Sequence, residues 1–75
     1  METEKRRNLR LVRIMERQGV TRQQMAEILA ISVKTLIRKI NGRLDWLVTE
    51  CRRIARFFGT TIAHLFDHRE VSAHG

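Results

Sequence analysis

The sequence predicts an all-α fold of five short helices, on three observations. Proline is absent, and no stretch alternates β-branched with polar residues over the length of a strand. Apolar residues instead recur at i, i+3 and i+4. The stop residues Gly19, Asn41-Gly42 and Gly59 cut that pattern into helix-length pieces. A chain of 75 residues makes one domain at most. The body is expected over 1–66, and 67–75 (DHREVSAHG), which has no apolar periodicity, as a flexible C-terminal tail. No internal repeat, linker or low-complexity segment interrupts the body.

Taken in order, residues 1–8 are polar and basic, with Lys5, Arg6 and Arg7 in a row. The first helix is expected from near Glu4 to Gln18. Leu11, Ile14 and Met15 share one face, Leu9 and Val12 flank it, and Arg6, Arg10, Arg13 and Arg17 lie off it. Gly19 ends it where a residue of positive φ is wanted, and Val20 seals the corner. Thr21 is an N-cap, and Gln24 three residues on completes a capping box. The second helix, roughly Thr21 to Leu29, carries Met25, Ile28 and Leu29 on its apolar face. Ala26 permits a close helix approach. Ala30, Ile31 and Ser32 make a tight corner. Ser32 caps the third helix, Val33 to Ile40, whose Leu36 and Ile40 face the core. Asn41-Gly42 stops it, since both residues tolerate the left-handed conformation. Arg43 to Leu47 is a loop with Trp46 tucked against the body. The fourth helix spans about Val48 to Phe58, with Cys51, Ile54, Ala55 and Phe58 inward, and Gly59 ends it. Thr61 caps a last short helix, Ile62 to Phe66, whose Leu65 and Phe66 close the core.

The charge narrows the partner. Fifteen Lys+Arg oppose eight Asp+Glu, for a net +7 and a sequence pI near 11.3. So basic a small body implies an anionic partner, of which nucleic acid is the commonest, ahead of acidic proteins, membrane surfaces or plain solubility. Single-strand binders stack bases on exposed aromatics, whereas of Trp46, Phe57, Phe58 and Phe66 three stand in positions expected to be buried. Cys51 is the only cysteine, which removes disulfides and reads as a small core residue. No leader pattern stands at residues 1–10, and the longest uncharged run is far too short to span a membrane. A soluble protein of the bacterial cytoplasm is expected.

The stretch from Thr21 to Gly42 (TRQQMAEILAISVKTLIRKING) organises the rest. With Leu36 and Ile40 turned inward, Val33, Lys34, Ile37 and Arg38 face outward. An α-helix fits the major groove of duplex DNA, where base edges carry a unique donor and acceptor pattern. Arg38 could bond guanine O6 and N7 in bidentate fashion, Lys34 could do so singly or hold a phosphate, and Val33 and Ile37 could touch thymine methyls. The other reading of Ile37 is partial packing against the first helix. Arg22 and Gln23 stand at a helix N-terminus that favours a phosphate. Ser32, Thr35, Asn41 and Arg43 are the remaining backbone-contact candidates, which position without reading sequence. For Arg10, Arg13, Arg52, Arg53 and Arg56 a solvated surface charge is at least as good a reading.

In order and spacing, Val20-Thr21, Met25-Ala26, Ile28-Leu29, Ile31-Ser32, Thr35-Leu36, Asn41-Gly42, Ile54-Ala55, Gly59 and Leu65-Phe66 resemble the phage Cro and repressor DNA-binding domains, the lambda-repressor-like family. The resemblance covers about Leu9 to Phe66. It implies a compact five-helix domain with a helix-turn-helix at helices two and three, a sequence-specific transcriptional regulator of Cro type, and double-stranded DNA as partner. A homodimer at least on DNA is expected, because one module this small buries too little DNA surface for tight binding. Arg22 stands where the family usually has a backbone-gripping glutamine. Two departures stand out. Ala30 occupies a turn position that the family usually fills with glycine, at a cost of about 1 kcal/mol if φ is positive. The second apolar position of the recognition helix is displaced from Lys39 to Ile40. Rival readings are an autoregulatory antitoxin or accessory subunit of a toxin pair, and a protein-interaction module using Val33 and Ile37.

Other chemistry finds little footing. His64 and His68 are i, i+4, but the last helix is expected to end between them, and His74 lies in the tail. No metal site is expected. No nucleophile stands with Asp67 and His68, and no Gly-rich phosphate loop is present. Neither an enzyme nor a cofactor or small-molecule ligand is expected.

Overall fold

The computed structural model describes residues 7–72. Five α-helices follow one another: α1 (Leu9–Gln18), α2 (Arg22–Leu29), α3 (Val33–Ile40), α4 (Val48–Phe58) and α5 (Ile62–Leu65). A single 3-10 turn, His68–Glu70, comes after them. Among the described residues there is no strand, only an isolated parallel bridge between Trp46 and Val71. No described helix is long and apolar enough to cross a membrane.

Helix starts are set by local side chains that accept from otherwise unbonded amides. Thr21 and Gln24 form the reciprocal box: Gln24 N donates to Thr21 Oγ1 at 3.1 Å, and Thr21 N donates to Gln24 Oε1 at 2.8 Å. Ser32 accepts from Thr35 N at 3.0 Å and Thr61 from His64 N at 3.2 Å. Helix ends share one device. After α1, α2, α3 and α4 a residue of positive φ turns the chain, and two amides fold back onto the last carbonyls. Glycine takes that position at 19, 42 and 59, whereas Ala30 takes it at φ 57°. The turn between α2 and α3 therefore keeps its geometry with alanine in place of glycine. Asn41 stays at φ −82°, so Gly42 alone supplies the left-handed residue that both were expected to tolerate.

The core draws on every helix: Leu11 and Met15 of α1, Met25 and Leu29 of α2, Leu36 and Ile40 of α3, Cys51 and Ile54 of α4, and Leu65 of α5. Ile14 is half-buried against it, and Leu9 is exposed. Trp46 is fully buried, edge-on to Phe66 with ring centroids 5.2 Å apart. Burial, reinforced by nearby Glu50, pushes the Cys51 thiol up to about 12, which keeps it neutral.

Three expectations need correction. The first helix does not reach back to Glu4 within the described residues. Glu4 to Arg6 lie outside them, Arg7 is a bend, and Asn8 is the N-cap. Asn8 is buried and bonded to three helices. Its Oδ1 accepts from Leu11 N at 2.9 Å, its Nδ2 donates to Leu65 O at 3.0 Å, and its backbone N–H donates to Ile40 O at 2.8 Å. One residue thus starts α1 and ties it to the ends of α3 and α5. The last helix closes at Leu65, one residue early, because Phe66 turns extended and sends its ring into the core. The expected loose tail is instead built onto the body as far as Ser72, while 73–75 lie outside the described residues. Trp46 N donates to Glu70 O and Ser72 N to Trp46 O, both at 2.7 Å. Backbone pairing of this kind leaves no apolar period in the sequence.

Candidate nucleic-acid interface

The interface is built on α3. Successive residues of a helix turn by about 100°, so burying Leu36 (0% exposed) and Ile40 (1%) fixes what faces outward. Val33 and Ile37 are 37% and 38% exposed, and Lys34 and Arg38 are exposed beside them. All four sequence-derived base-contact candidates therefore lie on one open face. Ile37 takes no place in the core cluster, which removes packing as the main reason for it. Among the described residues two ion pairs form, Arg10–Asp67 and Lys39–Glu50, so Lys34 and Arg38 engage no carboxylate there.

The flanking candidates divide. Arg22 and Gln23 are exposed in the first turn of α2. Neither α2 nor α3 carries an acidic residue in its first turn, so the positive ends of both helix dipoles are uncompensated by side chains. Ser32 caps α3 as expected, and that cap engages the hydroxyl that was also a backbone-contact candidate. Its hydroxyl accepts from Thr35 N and donates to Thr35 Oγ1 at 2.9 Å, so it serves the cap, and Thr35 keeps the free proton of the pair. Asn41 is half-buried in the turn. Arg43 is exposed, with its backbone N–H held by Arg38 O at 2.8 Å. The backbone of Arg43 is thereby held to that of Arg38, at the end of α3.

Two cations have roles that the sequence reading missed. Arg10 donates to Ala63 O and His64 O at 3.4 and 3.3 Å, and its other terminal nitrogen lies 3.4 Å from Asp67 Oδ1. It closes the carbonyl end of α5 while remaining exposed. Lys39 is buried. Its Nζ lies 2.7 Å from Glu50 Oε1 and donates to Asp45 O at 3.1 Å. Glu50 Oε1 also accepts from Leu47 N at 2.9 Å, which caps α4. A signal was legible for this pair: a lysine interrupts the inward face of α3, and a glutamate stands at the third position of α4. Among the described residues no three His, Cys, Asp or Glu side chains gather as a metal-binding group. His64 lies on α5 and His68 in the following turn, so they share no helix.

The chain matches the family model of the BetR domain over residues 3–75. No curated protein and no solved structure matches it. Five helices, an open basic face on α3 and a match across nearly the whole chain lead to one assignment: the protein belongs to the BetR domain family, small helical regulatory domains of DNA-binding type.

Proposed function

We propose that this BetR-domain protein binds double-stranded DNA sequence-specifically and regulates transcription, in the manner of a phage or prophage Cro-type repressor that occludes a promoter or operator. One observation carries the reading. The outward face of α3 sets Arg38 and Lys34 beside two exposed aliphatic side chains, with no carboxylate bonded to either among the described residues. That mix suits the major groove, where Arg38 bonds a guanine edge and Val33 and Ile37 meet thymine methyls. Arg22, Gln23 and Arg43 hold phosphates on either side, with Thr35 adding a hydroxyl.

The longest dimension of the domain is 28 Å. Successive major-groove faces of one duplex side are roughly 34–36 Å apart, so one domain reads one half-site, and a second copy reads the next. We therefore propose a homodimer at least on DNA, acting in the cytoplasm of a bacterial host. Selection of bound sites from random duplexes tests this. A palindromic consensus, duplex preferred over single strands, and affinity falling steeply with salt are expected. Absence of any enriched site would overturn sequence reading and favour a protein-interaction role for the Val33–Ile37 patch.

A further inference from the structure

We propose that the buried Lys39–Glu50 pair is the positioning device that gives α3 its base discrimination. The inference rests on the DNA reading of α3. Lys39 stands on the last turn of α3, between Arg38, which faces outward, and Ile40, which faces the core. Its ammonium is held by two acceptors on other elements, Glu50 Oε1 of α4 and the Asp45 carbonyl of the intervening loop. Glu50 fixes the start of α4 through Leu47 N. One charge pair thus locks the end of the recognition helix, the loop that carries Arg43, and the helix behind it.

Stability alone does not account for such a pair. Both side chains are 8% exposed, and buried ion pairs replaced by neutral side chains of similar size are often as stable or more so. What the pair adds is direction. Contacts made by Leu36 and Ile40 are non-directional and tolerate small rotations and slides of the helix. An ammonium that moves off its carboxylate leaves a buried charge unpaired, which costs far more. Bidentate recognition of a base edge needs a fixed helix, whereas phosphate contacts tolerate displacement. Losing the pair should therefore erode discrimination and spare non-specific affinity.

The test uses the whole chain and the variant K39M/E50Q. It removes one charge of each sign, so net charge is unchanged, and the amide oxygen introduced by Glu50→Gln keeps an acceptor for Leu47 N. Circular dichroism and melting establish the fold. Affinity is then measured on the duplex selected by the parent and on random duplex across a salt series. Discrimination is expected to fall about tenfold, the value of one bidentate base contact, with random-duplex affinity and salt slope unchanged. Lys39→Arg, which retains a cation for both acceptors, should keep the parental discrimination. A folded double variant with parental discrimination would overturn the proposal, as would equal loss in Lys39→Arg. A double variant that does not fold overturns it too, since the pair would then serve the fold itself. If the parent enriches no duplex, the DNA reading of α3 fails first and this inference with it.

Discussion

Two lysines five residues apart on α3 have opposite surroundings. Lys34 lies on the outward face, exposed, with no carboxylate bonded to it among the described residues; Lys39 is 7% exposed and bonded to Glu50 and Asp45. Their helix is the same and their propensity is the same. The difference is what stands opposite. Lys34 faces solvent, where its charge is available to an anion. Lys39 faces α4, where its stem crosses the core edge and its charge is neutralised internally. The formal net charge of +7 therefore does not say which cations α3 leaves open: Lys39 is paired with Glu50 inside the fold, while Lys34 and Arg38 are exposed.

The largest expected effect breaks that contrast directly. Lys39→Met alone leaves the Glu50 carboxylate buried without its cation and should cost about 3–5 kcal/mol of stability. Lys34→Met should change stability by less than about 0.5 kcal/mol. Urea denaturation of both checks this, and equal midpoints would refute it. Next comes binding. Arg38→Ala should lose about 1–3 kcal/mol on the selected duplex and relax one base position, with the fold intact. Arg22→Ala should weaken all duplexes alike and lower the salt slope by about one. Equal losses on selected and random DNA for Arg38→Ala would sink its base-reading role.

A smaller effect separates the two faces without touching either. Ala30 occupies the left-handed position at φ 57° that glycine fills at the other helix ends. Ala30→Gly should raise stability by about 1 kcal/mol, read as a higher urea midpoint, and leave DNA affinity unchanged. The smallest effect lies in the segment after α5. Partial burial raises the Glu70 carboxyl above its usual range, against the backbone bond it accepts from Asp67. The folded state therefore holds that proton to higher pH than the unfolded chain. Its contribution to stability is complete below about 4.5, the ordinary value, and is lost as pH rises through the raised one. Glu70→Gln keeps an acceptor for Asp67 N and removes the titration. Its stability relative to the parent should rise between acid and neutral pH, as melting curves at several pH values would show. A constant difference would contradict the assignment.

Most of the scaffold was readable from local chemistry. Thr21, Ser32 and Thr61 cap because a hydroxyl reaches an amide three residues on. The span Val48 to Phe58 follows from its own apolar period and Gly59. The outward set on α3 follows from Leu36 and Ile40 alone. Ala30 at positive φ follows from its place in the corner. What escaped the sequence depends on distant partners. Asn8 was expected inside the first helix rather than at its start, and its partner Leu65 lies 57 residues away. The 67–72 segment looked loose because its bonds to Trp46 are made by backbone, which every residue carries alike.

The sequence by itself determined where helices start and stop, which stripes turn inward, and which four residues the third helix shows to solvent, since these rest on periods and bonds spanning a few residues. Only the tertiary structure decided which cations remain available. Arg10 looks no different from the other cations in the chain, and the break that Lys39 makes in the inward face of α3 does not by itself name Glu50 and Asp45 as its partners. A charge is paired or left open according to whether folding brings a carboxylate or a row of carbonyls within about 3 Å of it, and that depends on the whole fold.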